Sequence, residues 1–177
     1  MRKKTKKNRK VAAVILAAFM VSVLSACGSS NTSEKKKMES DTKKYEIAVY
    51  ETAVVENGEI SIDTDTLTSM PMYVNYDSNG TNIQLIAVKA SDGTPRLSLN
   101  TCQVCNPSPR AYFKEQNGRL VCQNCGNVFT MDSVGETSGG CYPMYIDYKS
   151  TDGKLTVNVS DLDTYADKFT SWDGPVN

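Results

Sequence analysis

The sequence predicts a mostly β domain, β-rich α+β in class: a small antiparallel scaffold that carries two Cys-x-x-Cys loops. Three observations predict it. Short runs rich in Ile, Val and Tyr alternate with polar residues, as half-buried strands do. Gly-containing turn pairs recur between those runs. Both cysteine clips lie among such strands and turns and do not open a helix within a β/α unit.

Taken in order, Tyr45 to Val55 reads as a strand, Glu56-Asn57-Gly58-Glu59 as a turn, and Ile60-Ser61-Ile62 as a strand with one buried face. Asp63 to Ser69 fits a short capped helix or a loop. Met72 to Tyr76 is a strand, Asp77-Ser78-Asn79-Gly80 a turn, and Ile83 to Val88 a strand. Ser91-Asp92-Gly93-Thr94 turns the chain again, and Arg96 to Leu99 leads into the first clip. Tyr112-Phe113 and Leu120-Val121 flank Asn117-Gly118, a hairpin pair. Tyr145 to Tyr148 and Leu155 to Val159 flank Asp152-Gly153 as a second hairpin. Ser160 or Asp161 caps a short helix to Lys168. A faint echo links Gly58-Glu-Ile-Ser-Ile to Gly153-Lys-Leu-Thr-Val, and it carries no functional weight by itself.

The first 44 residues follow other rules. Seven basic residues between Arg2 and Lys10 precede an apolar run of 14 residues, Val11 to Leu24, broken only by Ser22. That run is short of the roughly 20 residues a spanning helix needs and matches a secretory signal peptide over 1–26. Leu24-Ser25-Ala26-Cys27 is a lipobox. Its thiol receives a diacylglycerol, with palmitate as the expected acyl chain, and Cys27 becomes the lipidated N-terminus. Residues 27–44 are polar with almost no apolar side chain, too little to offset chain entropy, and read as a flexible tether. Residues 45–177 form the single domain. The expected location is the cell membrane, lipid-anchored on its extracytoplasmic face.

Removing the leader changes the charge. The whole chain balances 20 basic against 20 acidic residues, while the mature chain keeps 13 basic against the same 20, a net charge near −7. An acidic surface excludes nucleic acid as a partner, because phosphate contacts need cations. The chain has no histidine. Ser-His-Asp and Cys-His catalysis, Cys-x-x-Cys-His haem attachment and mixed Cys/His zinc sites are therefore excluded. No catalytic constellation is present, and an electron carrier fits better than an enzyme.

Chemistry concentrates in cysteine. Cys102-Gln-Val-Cys105 and Cys122-Gln-Asn-Cys125 are separated by 16 residues, the spacing of a four-thiolate metal site. Gly126 follows the second clip, where positive φ lets backbone N–H groups face the sulfurs. Grouped thiolates repel unless a cation neutralises them, so the set is metal-bound or oxidised. Iron–sulfur and zinc both suit four thiolates. Local disulfides or thiol–disulfide exchange are the alternative in an oxidising compartment. Cys141, in Ser138-Gly139-Gly140-Cys141-Tyr142-Pro143, reads as a further ligand, an alternative ligand during cluster assembly, a thiol that supports the ligands from beside them, or a free buried thiol. Met70, Met72 and Met144 are packing residues first and soft copper ligands second. Tyr73, Tyr76, Tyr112, Phe113, Phe129, Tyr142, Tyr145 and Tyr148 form a β core, with a low-dielectric wall beside the clips as the sharper reading.

From Tyr73 through Cys102-x-x-Cys105 and Cys122-x-Asn124-Cys125-Gly126-x-x-Phe129 to Ser138-Gly139-Gly140-Cys141-x-Pro143, the chain resembles the FtrD-like membrane iron–sulfur family. Tyr142 stands where that pattern usually has Asn. The resemblance implies an iron–sulfur protein serving electron transfer or iron handling with ferrous-iron transport systems of the envelope. Cys102, Cys105, Cys122 and Cys125 carry over as cluster ligands, and Cys141 with them less directly. Family members often have membrane spans, a role the lipid on Cys27 would fill here. Cys122-x-x-Cys125-Gly126-x-x-Phe129 with Pro143 is more distantly similar to Rieske-type loops. It implies two-loop binding on a β scaffold, a zinc-ribbon or Rieske-like site with thiolates in place of histidines. A structural zinc-binding interaction domain and a thiol-exchange lipoprotein stay open beside the iron–sulfur reading.

Overall fold

Alternation along the strands sorts the chain into three β layers. The structure, a computed structural model, describes residues 47–135 and 139–177. The expected signal peptide (1–26), the lipidated Cys27, the tether (27–44) and Ser138 lie outside the described residues. In chain order the strands are β1 (Val49–Thr52), β2 (Val55–Glu56), β3 (Glu59–Asp63), β4 (Met72–Ser78), β5 (Thr81–Lys89), β6 (Pro95–Cys102), β7 (Phe113–Gln116), β8 (Arg119–Cys122), β9 (Val128–Phe129), β10 (Pro143–Met144), β11 (Lys149–Thr151) and β12 (Lys154–Asn158). One short α-helix, α1 (Val159–Asp163), follows, and single 3-10 turns cover Thr64–Thr66, Met131–Ser133 and Ala166–Phe169. The mostly β expectation is met.

The middle layer has the order β1-β4-β5-β6-β10. It is antiparallel except where β1 runs parallel to β4. Its central strand β5 is buried on both faces: Ile83, Leu85 and Ala87 enter one core, Ile86 and Val88 the other. A nearly continuous apolar run is what two-sided burial requires.

The first core is closed by a second sheet of order β11-β12-β3-β2. Ile60, Ile62, Leu155 and Val157 point into it. The two segments that echo each other in sequence are its adjacent central strands, with Leu155 opposite Ile62 and Val157 opposite Ile60. Each follows a hairpin whose two turn residues have positive φ, Asn57-Gly58 and Asp152-Gly153, as two-residue hairpins require. The exits match too. The Thr64 N–H donates to the Gly153 carbonyl at 2.8 Å, and the Val159 N–H to the Gly58 carbonyl at 3.0 Å. The echo is thus a local two-fold arrangement within this sheet.

The second core lies under the sheet β7-β8-β9 and contains Tyr73, Ile86, Val88, Phe113, Leu120, Cys102 and Cys122. Three amides run across β4, β5 and β6. Gln84 Nε2 donates to Asn75 Oδ1 at 2.8 Å and to the Val176 carbonyl at 3.1 Å. Gln84 Oε1 accepts from Asn100 Nδ2 at 2.7 Å and from the Val176 N–H at 3.3 Å. Asn100 Oδ1 accepts from the Phe113 N–H at 2.8 Å, and its Nδ2 reaches the Phe113 carbonyl at 3.3 Å. Gln84 and Asn100 are wholly buried, which is tolerable only because their donors and acceptors are met. The row fastens β7 and the Val176 segment to the middle sheet.

Three sequence readings are corrected. The strand expected over 45–55, of which 45 and 46 lie outside the described residues, divides into β1 and β2, and the strand expected over 145–148 is replaced by β10 before it and β11 after it. The reason is common to both. At each place the chain leaves the middle sheet and joins the second one, so pairing is interrupted at the crossing. The helix expected to reach Lys168 is also divided. It starts after Asn158, ends at Asp163 and resumes as a 3-10 turn. The Asp163 carboxylate is held by the hydroxyls of Tyr76 at 2.8 Å and Ser78 at 2.6 Å. The Thr164 hydroxyl takes the Asp161 carbonyl at 2.6 Å, closing the helix. The segment after Asp63 is a 3-10 turn capped by that residue's side chain, which accepts from the Asp65 N–H at 2.9 Å.

Asn100→Ala should destabilise the domain by about 3 kcal/mol, since it strands buried groups of Gln84 and Phe113 that each cost about 1–3 kcal/mol when unpaired. Urea unfolding measures this, and a loss below about 1 kcal/mol would contradict the clamp.

Candidate metal centre

Both clips begin where a strand ends. Cys102 is the last residue of β6 and Cys122 the last of β8. Each loop folds back in the same way: the Asn106 N–H donates to the Cys102 carbonyl at 3.1 Å, the Gly126 N–H to the Cys122 carbonyl at 2.9 Å. Gly126 adopts φ 75°, as its place in the sequence predicts. Backbone N–H groups then face the sulfurs. The Cys105 N–H lies 3.4 Å from Cys102 Sγ, with that of Val104 beside it. The N–H groups of Asn124 and Cys125 face Cys122.

Strand register brings the two loops together. Phe113, gripped by Asn100, pairs with Cys122, and the Cys102 N–H donates to the Ala111 carbonyl at 2.9 Å. A direct link joins the loops, Ser108 Oγ donating to Asn124 Oδ1 at 2.7 Å. The third loop is placed by β10, where Pro143 pairs with Cys102. Gln103 holds it through its N–H to the Tyr142 carbonyl at 3.0 Å and its Nε2 to the Pro143 carbonyl at 3.1 Å. The Tyr142 ring lies over Gly140, where a Cβ would approach ring carbons to 3.1 Å, and packs on Phe129 with centroids 5.1 Å apart. Phe129 in turn meets the edge of Phe113 at 5.9 Å. Tyr142 therefore acts here as a packed ring.

The geometry gathers all five cysteines of the domain. The sulfurs of Cys102, Cys105 and Cys122 lie within 4.8 Å of one another, and so do those of Cys105, Cys125 and Cys141. Cys105 belongs to both groups, and its sulfur is 3.9 Å from that of Cys122. All five are free thiols. Burial is graded: Cys102 and Cys122 are buried, Cys105 and Cys141 half-buried, Cys125 exposed. The donor set fits a thiophilic metal ion or cluster, because tetrahedral coordination at about 2.3 Å per bond puts sulfurs about 3.8 Å apart. Met72 and Met144 pack against the first core, while Cys102 and Cys122 belong to the second.

The aromatic residues named from sequence divide between the cores: Tyr73 and Phe113 are buried on the cysteine side, while Tyr76 and Tyr148 pack on the other. Ser108, Gln103 and Asn100 were missed as positioning residues. One signal was available, since both clips read Cys-Gln-x-Cys. Gln123 mirrors Gln103, its N–H donating to the Tyr112 carbonyl and its Nε2 to the Val121 carbonyl, both at 2.8 Å.

Proximity makes the thiols unequal. The Cys102 thiol, donating toward Cys122, together with the facing backbone N–H groups holds Cys122 down to about 5. Cys102 is pushed up, first by that same donation and then by burial. Burial also raises Cys105, against which the Asn124 side chain works. Desolvation raises Cys125.

A β scaffold holding paired Cys-x-x-Cys loops and a fifth thiol defines a cysteine-rich metal-binding domain. A family model described as "Membrane iron-sulfur containing protein FtrD-like" matches residues 68–169, more than half of the chain, and the chain belongs to this FtrD-like family. The matched stretch holds every cysteine of the centre. The family is described as iron–sulfur-containing and membrane-associated. Among the described residues no helix is long and apolar enough to cross a membrane. Neither the curated proteins nor the solved structures contain a significant match.

In the reduced, metal-free protein, ultraviolet thiolate absorbance should rise by one group as pH passes upward through about 5. Cys102→Ala should move that step toward the ordinary thiol range of about 8.5. A wild-type protein that gains no thiolate between acid and neutral pH contradicts the Cys102–Cys122 pairing.

Proposed function

We propose that this chain is a lipid-anchored, extracytoplasmic iron–sulfur protein serving electron transfer or iron handling beside ferrous-iron transport at the cell envelope. The observation that carries this reading is the convergence of Cys102, Cys105, Cys122, Cys125 and Cys141, with Cys105 common to two groups of three sulfurs. The family description supplies iron–sulfur as the guest. Bound there, a cluster supplies one-electron chemistry. The chain's own residues do the rest: thiolates hold the guest, backbone N–H groups stabilise sulfur charge, and the Phe113–Phe129–Tyr142 rings lower the local dielectric. All-thiolate ligation favours a lower potential than histidine ligation. The lipobox Cys27 supplies the membrane anchor, and the partners are envelope iron-transport or redox proteins. The acidic mature chain is unsuited to nucleic acid.

A structural zinc site is the second reading, favoured by the 3.9 Å spacing of Cys105 and Cys122. That spacing is close to the one a single tetrahedral ion imposes. Zinc would be colourless and redox-silent.

The deciding experiment purifies the protein anaerobically and measures iron, zinc, acid-labile sulfide and the visible spectrum. Iron with sulfide and absorbance that bleaches on reduction is expected. Cys122→Ser should remove that absorbance. Stoichiometric zinc without sulfide overturns the redox reading.

A further inference from the structure

Two large apolar side chains beside the cysteines are turned to solvent: Val104 is 63% exposed and Val128 60%. Val104 lies inside the first clip, and Val128 follows Cys125 by three residues. Cys125 is itself the exposed member of the sulfur set.

Charge is missing from the segments that carry these residues. Residues 102–109, 122–131 and 139–146, which bring the sulfurs together, contain no Asp, Glu, Lys or Arg. The acidic excess lies elsewhere. Residues 47–65 hold five acidic residues and no basic one, and residues 147–173 hold six acidic against three basic. Those stretches contain the second sheet and α1, on the side of the first core. The cysteine loops border the second core, beyond the opposite face of the middle sheet. The domain is thus acidic on one side and uncharged around the sulfurs.

This distribution decides how another protein approaches. An acidic protein is repelled from the acidic side, and the uncharged loops offer it no such barrier. They also offer no charge for a cationic partner to pair with. What remains is apolar contact through Val104 and Val128. Such a contact is small, in the class of redox encounters that bury less than about 1,200 Å². A carrier that releases its partner after each transfer needs a brief contact of that kind. Cys125 brings a sulfur to the same loops, so a protein seated there lies close to the guest.

We infer that the face carrying Val104, Val128 and Cys125 docks a one-electron redox protein whose own contact face is apolar and uncharged. One electron passes between the two centres, one being oxidised as the other is reduced. No bond forms or breaks and no proton is carried. This inference rests on the iron–sulfur reading proposed above, and adds to it where the partner sits and that charge does not steer it.

A second copy of this chain is the probe, since it is a redox protein with such a face. The full-length protein is used with its cluster bound. The first readout needs no electron transfer. Oxidised protein with Val128→p-benzoylphenylalanine is irradiated, and cross-links between copies are mapped by mass spectrometry. They are expected on residues 102–109 and 122–131 of the other copy, and the same label in place of Val55 should give none there. The second readout is electron self-exchange between reduced and oxidised protein, from nuclear magnetic resonance line widths. Val104→Lys and Val128→Lys each bring the net charge closer to zero, so charge alone predicts faster exchange between copies. Docking through this face predicts exchange slower by about tenfold, because a charge is then buried without a partner. Val55→Lys makes the same change of charge away from the loops and should not slow it. Cross-links spread over the acidic sheet, or both loop variants exchanging as fast as Val55→Lys, overturn the docking face and leave the iron–sulfur reading standing. Should a lysine variant lose the visible spectrum, the cross-links decide. Wild-type protein that holds no cluster removes the iron–sulfur reading, and this inference with it.

Discussion

Asn100 lies two residues before Cys102, and its buried side chain grips both the N–H and the carbonyl of Phe113. Phe113 pairs in turn with Cys122. One amide therefore fixes the distance between a strand that ends in one clip and a hairpin that ends in the other. Hydrophobic packing alone would not set this register, since burying Phe113 and Leu120 constrains area more than position. Directional bonds do, and inside a core they are enforced by the cost of leaving their partners unmet. Gln84 extends the constraint to Asn75 and Val176, so the second core is closed around polar groups that have only one mutually satisfying arrangement.

Much of the scaffold was legible because its turns are chemically explicit. Asn117-Gly118 and Asp152-Gly153 take the positive φ values their residue types favour, and the hairpins beside them fall where alternation places them. The divisions between sheets were not legible. Ala53 and Val54 separate β1 from β2 without any turn residue, and Tyr145 to Tyr148 has the composition of a strand although it is a crossing. Local propensity describes a pleated, half-buried surface and is silent about which sheet the surface belongs to. The amide row was hidden for a related reason, because Asn75, Gln84 and Asn100 look like solvent-facing positions until a second layer covers them. The four clip sulfurs were legible as a set from spacing, but the approach of Cys141 to them depends on loop geometry that spacing does not encode.

The two faces of the middle sheet carry different duties. On one, the paired echo strands pack aliphatic side chains in a repetitive, almost purely apolar core. On the other, aromatic rings, amides and thiols share the space. The family match begins at residue 68, after β3, so one half of the echo sheet lies outside it. The β11–β12 hairpin, the cysteine layer and the middle sheet from β4 onward lie inside it.

The hydrogen bond from Ser108 Oγ to Asn124 Oδ1 joins the two clip loops through oxygen atoms alone, without sulfur or a guest. Loops tied together in this way keep their mutual position when the centre is empty. Filling it then requires little rearrangement, and emptying it leaves no collapsed pocket to rebuild. A site tied in this way can lose and regain its guest without the surrounding domain coming apart.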